Sequence, residues 1–479
     1  MMNRIRKWIM ILGIIPGTLA GQTFNDLIIR LNSLPVNERQ VVVDSFMNAA
    51  GTFPFLESDT LCHFIYTGTA SSASVAGDFT YWNPNWEMTQ IIGTNFWYRD
   101  AIFEDDARLD YKFVLNGSSW ILDPRNPNTC TGGFGPNSEL RMPAYTIPPE
   151  ISYYPGIPHG TLVDTVFYSN QLGNSRTVKI YLPPGYSSDT TEYPVILFHD
   201  GLEYISLANA NNVLDYLIGQ REIQPVIGVF VPPVNRTDEY AGAQIDAFTY
   251  FITGVVMPEI DRKYRTSGDP RKRATLGASN GGNISLYLGM KHPEAFGKIA
   301  AQSSNVQTII SSTFQYGNKL DLEFYLDIGT YDIPVLIPLV EGLVQILQNR
   351  GYAYQYYQWH EGHSWGNWKG HLRLPLQQFF PSPTGFNERN DEPRIRLFQN
   401  APNPFSDETF IRFAAPVGSQ AELILFDNSG RKLATVFKGE VSAGLTTVLF
   451  RNPGYSSGIY FYSLKADSRI ESCKMNIIQ

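Results

Sequence analysis

The stretch Arg271–Lys298, RKRATLGASNGGNISLYLGMKHPEAFGK, decides the fold of the largest part of this chain. It is typical of a short strand, a sharp turn with Ser279 at its apex, and a helix that leaves the turn. Gly277 and Gly281 flank Ser279 where the backbone passes so close to itself that side chains would collide. The stretch therefore predicts a unit that exposes a serine hydroxyl. The alternative is an ordinary glycine turn that closes a βα unit.

Short apolar or aromatic runs occur throughout residues 148–381, and several of them are separated by helical stretches. These runs are Val178–Leu182, Val195–Phe198, Val226–Val231, Ala274–Leu276, Ile299–Gln302, Leu322–Ile328 and Tyr354–Trp359. Near-continuous apolar strands that alternate with helices indicate a largely parallel sheet covered on both faces. The sequence therefore predicts an α/β domain over 148–381.

Two residues downstream of Ser279 complete an order that is typical of hydrolytic sites. A serine hydroxyl is a poor nucleophile at neutral pH and needs a base, which in turn needs an orienting carboxylate. Asp332 follows the predicted strand Leu322–Ile328, and His363 follows Tyr354–Trp359 within the sequence EGHSW. Carboxyl ends of parallel strands meet at one edge of a sheet. We therefore predict Ser279 as nucleophile, His363 as base and Asp332 as the orienting acid.

Other acids and histidines compete for these roles. Asp327 and Glu323 are alternative acids, but both lie within the predicted strand rather than past its end. His360 is the alternative base, although it lacks the flanking glycine that would let the loop turn it inward. Four further histidines are expected to be structural or solvated: His63, His159, His292 and His371.

A backbone site for a developing oxyanion is predicted after the strand Val195–Phe198. The sequence HDGL begins there at His199, and such a loop can aim an N–H group at the anion. We assign this donor to Leu202, with Gly201 as the neighbouring alternative. The second donor is the N–H of Asn280, directly after the nucleophile.

A series of motifs over residues 160–380 resembles one known group of enzymes. The motifs are YPVILFHDGLEY, NRTDEY, MPEIDRKYRTSGDPRKRATLGASNGGNISLYLGMKHPEAFGKIAAQSS, DIGTYD and EGHSWGNWKGHL, in this order. They are similar to the enterochelin esterase and feruloyl or acetyl-xylan esterase group, the esterase D-like α/β-hydrolases. The resemblance implies hydrolysis of carboxylic esters through an acyl-enzyme and without a cofactor, with Ser279, Asp332 and His363 in the roles given above.

The same resemblance implies residues around the substrate. It supports Asp200, Gly201 and Leu202 as the oxyanion loop. The residues that it suggests near the substrate are Asp200, Tyr204, Arg236, Glu239, Tyr240 and Trp365. For Arg236 and Glu239, a salt bridge that holds the loop is an equal alternative.

The segment before the α/β domain divides into three parts. Residues 1–20 combine a basic start, a short apolar run and small residues, which is typical of a secretory signal peptide, with a retained membrane anchor as the alternative. Residues 21–52 predict amphipathic helices. Residues 53–147 alternate with period two and predict a small β-sandwich whose VAGDFTYWNP and DYKFVLNGSSWILDPRNP resemble early-set, glycogen-binding-like modules. The tryptophans of this module fit either stacking on sugar rings or core packing: Trp82, Trp86 and Trp120.

Two further segments follow the α/β domain. Residues 382–393 are polar and proline-rich, which predicts a linker. Residues 394–479 predict a second small β-sandwich. Its LFQNAPNPFSDETFIRF, LILFDNSGRKLATVF and SSGIYFYSLKAD resemble the C-terminal sorting domain of the type nine secretion system of Bacteroidetes-type bacteria. The resemblance implies that the secretion machinery is a partner; a spacer or binding module is the alternative.

The composition of the chain narrows the classes of partner and cofactor that we expect. The net charge of −8 and the lack of a long basic run favour neither nucleic acid nor an anionic membrane surface as a partner. The acids, histidines and three cysteines form no metal-ligand spacing, so we expect no metal, and a Cys62–Cys130 disulfide is as well supported as free thiols. We expect no membrane span in the mature chain.

These features favour an exported or cell-surface esterase that removes feruloyl, acetyl or similar groups from plant polysaccharide. Two alternatives remain at this stage. One is hydrolysis of a siderophore trilactone, for which a basic cleft would be expected because ferric catecholate siderophores are anionic. The other is a carbohydrate-binding surface protein that keeps the fold without catalysis.

Overall fold

The computed structural model of the chain describes residues 23–188, 190–382, 396–398, 400, 402–415, 418–427, 430–441, 445–466 and 469–478. The predicted signal peptide at 1–20 lies outside these residues, as does all but the first residue of the predicted linker at 382–393. The chain divides into two compact units, Met1–Gly385 and Phe386–Gln479.

Two helices begin the described chain, α1 (Phe24–Ser33) and α2 (Val36–Ala49). Pro35 directly precedes α2, a position where its fixed φ and missing N–H do not destabilise the helix. The rings of Phe24 and Phe46 lie 6.0 Å apart and share a buried cluster with residues of the β-module that follows. The helical pair thereby covers one face of that module.

A small β-sandwich follows the helices. Its strands are β1 (Phe55–Leu56), β2 (Leu61–Thr67), β3 (Ala73–Gly77), β4 (Trp86–Glu87), β5 (Thr89–Gln90), β6 (Phe96–Ile102), β7 (Arg108–Leu115), β8 (Ser119–Ile121), β9 (Thr129–Gly132) and β10 (Gly135–Arg141). One sheet has the order β1-β2-β6-β5, and the other joins β3, β4, β8, β9 and β10 around β7. Alternate side chains of both sheets fill a common core.

The three tryptophans of this module have different environments. Trp86 is half-buried against Phe79, with ring centroids 4.8 Å apart. Trp82 is half-buried and donates its indole N–H to Asp78 Oδ1 at 3.1 Å. Trp120 is 43% exposed and stacks on Trp82 with ring centroids 6.4 Å apart. Trp86 therefore packs within the module, while the Trp82–Trp120 pair faces solvent in part.

The α/β domain contains eight strands and ten helices within the described residues. The strands are β11 (Thr161–Ser169), β12 (Asn174–Leu182), β13 (Val195–His199), β14 (Ile227–Val231), β15 (Arg273–Ala278), β16 (Lys298–Gln302), β17 (Glu323–Tyr331) and β18 (Ala353–Gly362). The helices are α3 (Gly201–Ser206), α4 (Ala210–Gly219), α5 (Arg236–Ala241), α6 (Ile245–Tyr250), α7 (Met257–Lys263), α8 (Asn280–Lys291), α9 (Thr308–Tyr316), α10 (Leu336–Asn349), α11 (Trp365–Gly370) and α12 (Arg373–Phe379).

The strands of this domain form one sheet in the order β11-β12-β14-β13-β15-β16-β17-β18. From β14 to β18 in this order the neighbouring strands are parallel, while β12 is antiparallel to both β11 and β14. Two separate apolar clusters cover the two faces. The predicted α/β-hydrolase domain is therefore confirmed, and its central strands are apolar because both of their faces are buried.

The sheet of the α/β domain continues into the β-sandwich through a single residue pair. Glu361, near the end of β18, is the parallel partner of Arg108, the first residue of β7. Both side chains are buried. The sandwich thereby meets the α/β domain at the carboxyl end of its last strand.

The second unit is another small β-sandwich, as the sequence predicts. Its strands are β19 (Arg396–Leu397), β20 (Glu408–Ala414), β21 (Gln420–Phe426), β22 (Lys432–Glu440), β23 (Leu445–Arg451), β24 (Gly458–Ala466) and β25 (Arg469–Ile477). They form a three-stranded sheet, β19-β20-β23, and a four-stranded sheet, β22-β21-β24-β25. A core of its own lies between the sheets and includes Ile411, Leu423 and Leu464.

Cys62 and Cys130 are both buried and free, so the disulfide that the sequence allowed does not form. Burial raises the pKa of the Cys130 thiol to about 11, which makes it an inert core residue at neutral pH. Among the residues that the structure describes, there is no helix with the length and apolar character to cross a membrane.

Candidate active site

Ser279 lies at the apex of a sharp turn between β15 and α8. Its backbone has φ 58° and ψ −122°, which is strained for a residue with a side chain. Its N–H donates to the Gln302 carbonyl at 2.8 Å, which ties the turn to the neighbouring strand. A Cβ at Gly277 would lie 2.3 Å from the Gly281 carbonyl oxygen, so the predicted steric reason for glycine at 277 is confirmed. This turn holds Ser279, half-buried, at the carboxyl edge of the sheet.

His363 and Asp332 form a hydrogen-bonded pair at the same edge. Asp332 directly follows β17, and His363 directly follows β18. His363 Nδ1 lies 2.7 Å from Asp332 Oδ1, with the carboxylate fully buried and the ring 20% exposed. Asp332 Oδ1 also accepts the N–H of Ile333 at 2.7 Å. A carboxylate in this position fixes the ring orientation and keeps the proton on Nδ1, which directs Nε2 away from it.

The structure contains no hydrogen bond between Ser279 Oγ and His363 Nε2 within the described residues. Such contacts are often long in enzymes without substrate and tighten when substrate binds. Trp368 packs edge-on against the His363 ring with centroids 5.0 Å apart and donates its indole N–H to Ser303 Oγ at 3.0 Å. The ring of His363 is therefore held by Asp332 at one nitrogen and by Trp368 on its side.

The predicted oxyanion donors lie at the starts of two helices. Asn280 is the first residue of α8, and Leu202 is the second residue of α3. The first N–H groups of a helix have no acceptor within it, so both groups are available to an anion. A Cβ at Gly201 would lie 2.3 Å from the backbone of Phe230, which explains why the chain can approach β14 so closely there. Either Leu202 or Gly201 remains compatible with the predicted role.

Asp200 and Arg236 form an ion pair next to the serine. Arg236 Nε lies 2.7 Å from Asp200 Oδ1, and Arg236 Nη2 lies 2.8 Å from Oδ2. Nη2 also donates to the Ala278 carbonyl at 3.2 Å. Burial raises the pKa of Asp200, although the arginine opposes this effect. Asp200 is almost fully buried, whereas the Arg236 side chain is 40% exposed, so of the two it is Arg236 that can meet a substrate.

The other residues that the resemblance suggests near the substrate are buried and have protein partners. The Glu239 carboxylate pairs with both terminal nitrogens of Arg176, at 2.7 and 3.0 Å. The Tyr240 hydroxyl accepts the N–H of Asp200 at 2.8 Å. The Tyr204 hydroxyl donates to Gln302 Oε1 at 3.0 Å. For Glu239 the structure thus provides the salt bridge that was the alternative to substrate contact, and Tyr240 and Tyr204 are engaged by protein groups as well.

Trp365 is also largely buried. It packs edge-on against Tyr204 and Trp368, with ring centroids 5.1 and 5.0 Å away. It begins α11, two residues after His363. Its position therefore fits support of the histidine loop better than direct contact with substrate.

The alternative acids and bases are engaged elsewhere. Asp327 is fully buried, accepts the Tyr325 hydroxyl at 2.9 Å and the Gln302 side-chain amide at 3.2 Å, and has its pKa raised to about 6 by burial. Glu323 pairs with Lys298 at 3.1 Å. The His360 ring lies 2.5 Å from Asp106. None of these four contacts involves Ser279.

The remaining histidines have structural contacts. His199 is fully buried against Thr275 Oγ1 at 2.9 Å, and burial lowers its pKa to about 3. Three others each have a carboxylate partner within 3.1 Å: His63, His159 and His292. His371 stacks on Trp359 and lies 2.7 Å from Glu361. Within the described residues there is no cluster of histidine, cysteine and acidic side chains that could hold a metal ion.

Sequence reasoning missed the side chains that the β-sandwich contributes around the His363 loop. Arg108 Nη1 donates to Ser364 Oγ at 3.0 Å, directly next to His363. Asp78 contacts Gly362, where an added Cβ would clash with its carboxyl group. The available signal was the charge pair Arg108 and Asp110 at the start of a strand rich in apolar and aromatic residues, because charged side chains are rarely buried without a partner.

Comparisons with known proteins agree on one broad class. Residues 169–378 match the model of the family described as "Putative esterase". The chain is 28% identical over 226 residues to the uncharacterized protein YjcH of Bacillus subtilis, a match that covers 44% of this chain and 94% of that protein. It is 28% identical over 160 residues to an endo-1,4-beta-xylanase/feruloyl esterase of Xylanibacter ruminicola, covering 30% of this chain and 22% of that one.

A solved structure is similar over a longer part of the chain. The enterobactin esterase FES of Shigella flexneri, in the presence of enterobactin, superposes with a TM-score of 0.60 at 21% identity, covering 70% of this chain and 97% of that one. At this identity the likeness shows the fold. Together with the family match, it supports an esterase with the α/β-hydrolase fold.

Proposed function

We propose that this chain is an exported serine carboxylic-ester hydrolase that removes feruloyl, acetyl or similar acyl groups from plant polysaccharide through an acyl-enzyme. The observation that carries the proposal is the 2.7 Å hydrogen bond between His363 and Asp332 at the sheet edge where Ser279 occupies its strained turn. The family match supports the esterase part of the proposal. The polysaccharide part rests on the export-type segments and on the aromatic side chains of the sandwich.

The reaction follows from the groups at this edge. Ser279 Oγ attacks the ester carbonyl carbon while His363 Nε2 takes its proton, and Asp332 stabilises the resulting imidazolium. The carbonyl oxygen becomes an oxyanion that accepts the N–H groups of Asn280 and of Leu202 or Gly201. His363 returns the proton to the leaving alcohol, which leaves an acyl group on Ser279.

Deacylation repeats the same steps with water. His363 takes a proton from the attacking water, the oxyanion forms again, and the acid leaves as Ser279 recovers its proton. Each step uses a side chain or backbone group of the chain itself.

The resemblances at the two ends support export. The proposed early-set module at 53–147, the sorting domain at 394–479 and the signal peptide at 1–20 fit an enzyme that acts outside the cytoplasm. The type nine secretion machinery would then be the partner of the sorting domain. The exposed Trp120 and half-buried Trp82 supply aromatic surface of the kind that stacks on sugar rings.

A siderophore trilactone is a weaker substrate candidate. Ferric catecholate siderophores are anionic, so their site should carry uncompensated positive charge. Arg236, the arginine that reaches the Ala278 carbonyl beside Ser279, is paired with Asp200 through two hydrogen bonds. Its charge is therefore balanced within the protein, which favours a neutral substrate.

The test is a comparison of kcat/KM on methyl ferulate, acetylated xylan, p-nitrophenyl acetate and enterobactin, with Ser279→Ala as the blank. We expect the highest value on ferulate or acetylated xylan and loss of turnover in Ser279→Ala by several orders of magnitude. Preference for enterobactin would replace the polysaccharide proposal with an iron-acquisition role. Turnover that survives in Ser279→Ala would overturn the serine mechanism for every substrate.

A further inference from the structure

We propose that Arg108 of the N-terminal β-sandwich is a positioning residue for the reaction, because it fixes the loop that carries His363. The inference rests on the proposed role of His363 as the base. It makes the sandwich part of the catalytic apparatus of the α/β domain. The contacts that carry the inference lie on both sides of His363.

Arg108 is a fully buried arginine whose closest carboxylate partners belong to the sandwich, while Glu361 of β18 lies farther away, 3.8 Å from its Nη1. Its Nη2 lies 2.6 Å from Asp110 Oδ1, and its Nε lies 3.0 Å from Glu139 Oε1. These two carboxylates fix the plane of the guanidinium, which presents its donors in a rigid fork. The remaining terminal nitrogen, Nη1, is thereby aimed out of the sandwich with little freedom to move.

That nitrogen meets the residue after His363. Arg108 Nη1 donates to Ser364 Oγ at 3.0 Å. Ser364 is in turn the N-cap of α11, where its Oγ also accepts the N–H of Asn367. The segment after His363 is therefore held by two hydrogen bonds of Ser364, one within α11 and one that crosses the domain boundary to the sandwich.

Steric contacts restrict the same loop from both ends. At Gly366 an added Cβ would overlap the Arg108 guanidinium, so the turn of α11 rests directly on it. At Gly362 an added Cβ would overlap the Asp78 carboxyl group of the sandwich. Asp78 is itself fixed, since its Oδ2 accepts the Asp110 N–H at 2.8 Å and its Oδ1 accepts the Trp82 indole N–H at 3.1 Å. The residues on both sides of His363 thus lie against sandwich side chains that cannot move away.

The backbone next to His363 matters for catalysis because it sets the distance between His363 Nε2 and the proton that the ring removes. A general base must lie within hydrogen-bond reach of the proton it removes, and a misplacement of about 1 Å can cost about 100-fold in rate. Because Asp332 fixes only one nitrogen of the ring, the backbone at 362–364 decides where Nε2 lies. Arg108 and Asp78 hold that backbone. Loosening it should lower kcat more than it weakens substrate binding.

The first test is Arg108→Lys, with Arg273→Lys as the matched control. Lysine keeps a positive charge near Asp110 and Glu139, but its single ammonium cannot reproduce the fork that reaches Ser364. Arg273 is also a buried arginine, at the start of β15, and pairs with Asp261 at 2.7 Å, at the opposite end of that strand from Ser279. Activity is expressed per site that reacts with a fluorophosphonate, so unfolded molecules do not count.

We expect Arg108→Lys to lower kcat per titrated site by about 10- to 100-fold with KM within about twofold. Arg273→Lys should lower the melting temperature without changing either constant. An unchanged kcat per titrated site in Arg108→Lys would overturn the inference, because a merely structural arginine would reduce only the number of folded molecules.

A second pair of variants keeps the buried charges intact. Ser364→Ala removes the hydroxyl that receives the Arg108 hydrogen bond, and Ser364→Thr restores a hydroxyl at the same position. We expect kcat to fall in the alanine variant and to recover in the threonine variant. In the double variant Arg108→Lys/Ser364→Ala, the loss should be close to that of the more damaging single change, since both act through one contact. Independent, multiplicative losses would overturn the route through Ser364.

His363→Ala separates failure of this inference from failure of the proposed function. If His363→Ala is inactive while Arg108→Lys keeps full kcat, the proposed function stands and the positioning role is wrong. If His363→Ala keeps its activity, His363 is not the base, and both proposals fail together.

Discussion

Two histidine–aspartate pairs in this molecule have nearly the same geometry in different surroundings. His363 Nδ1 lies 2.7 Å from Asp332 Oδ1, and His159 Nδ1 lies 2.8 Å from Asp215 Oδ2. Both carboxylates are buried, and the two rings are 20% and 26% exposed. The pair distance and burial alone therefore do not distinguish a base from a structural contact.

The contacts of the second ring nitrogen and of the carboxylate oxygens distinguish the two pairs. His159 Nε2 lies 3.1 Å from the Tyr154 carbonyl, so both of its nitrogens face acceptors. Asp215 Oδ1 accepts the Tyr181 hydroxyl and the Gly160 N–H, both at 2.7 Å. A ring that uses both nitrogens in contacts within the protein has no nitrogen left open toward a substrate. His159 therefore anchors the entrance to β11 on α4.

The His363 pair differs from the His159 pair in that its atoms are not all used by the protein. Within the described part of the chain, Asp332 is the hydrogen-bond partner of His363, and Asp332 Oδ2 is buried without a partner. The second ring nitrogen is available for a proton from serine or from water. In the His363 pair one ring nitrogen is thus left for the substrate, whereas in the His159 pair the protein uses both.

The largest contrast is expected from removing the two rings. We expect His363→Ala to lower kcat by roughly three to six orders of magnitude, because the serine then has no base. His159→Ala should leave kcat per folded molecule within about threefold and act on stability instead, because it removes hydrogen bonds worth about 1 kcal/mol each. Steady-state kinetics and thermal unfolding of both variants measure the contrast. Loss of turnover in His159→Ala would contradict it.

The second contrast comes from the carboxylates. Asp332→Asn should lower kcat by roughly 10²- to 10⁴-fold, since an amide no longer holds the ring in the tautomer that leaves Nε2 free. In Asp215→Asn the side-chain amide cannot accept all the hydrogen bonds that the carboxylate accepts now. This loss should reduce the free energy of unfolding by about 1–3 kcal/mol. Activity per folded molecule should persist there. Denaturant unfolding and kinetics on the same preparations separate the two outcomes.

The sequence alone predicted those parts of the site whose positions follow from the order of strands and helices along the chain. Strands β17 and β18 end at Tyr331 and Gly362, beyond the apolar runs that predicted them, but Asp332 and His363 still directly follow a strand end, so both could be assigned to the carboxyl edge from their positions alone. The turn at Ser279 could be predicted because Gly277 has no room for a side chain. Local pattern and sheet topology therefore predicted the core of the candidate site.

Contacts between domains could not be predicted in the same way. The same holds within the α/β domain: the family resemblance suggested Glu239 and Tyr240 near the substrate, but their partners, Arg176 and the Asp200 N–H, are distant in sequence. Arg108 lies 256 residues from Ser364, and nothing local connects them. Which polar side chains a fold buries together depends on tertiary packing, which periodicity does not encode.

A third contrast is expected between Asp332 and Asp327, the buried carboxylate within the strand that precedes Asp332. Burial raises the pKa of Asp327 to about 6. Because this exceeds the unfolded value of about 3.9, its contribution to stability is fully present below pH 4 and is lost as the pH rises through 6, by about 3 kcal/mol. Asp327→Asn should therefore gain stability relative to the parent between pH 4 and pH 7, with kcat within about tenfold.

Urea unfolding at several pH values measures this difference. Asp332→Asn is the control for activity, since it should lose kcat where Asp327→Asn keeps it. A stability difference between Asp327→Asn and the parent that does not change from pH 4 to pH 7 would show that folding does not raise the pKa of Asp327. A loss of kcat in Asp327→Asn as large as in Asp332→Asn would make Asp327 the orienting acid.

The smallest effect is expected at His360, the other histidine at the end of β18. Its ring is 37% exposed and pairs with Asp106 of the sandwich, a contact near the surface that should contribute less than about 1 kcal/mol. We expect His360→Ala to keep kcat/KM within about twofold and to leave the pH dependence of turnover unchanged. His363→Ala, three residues away, provides the comparison. A large loss at His360 together with activity at His363 would move the base to the ring that points at the sandwich, and the contrast with His159 would then no longer identify the catalytic pair.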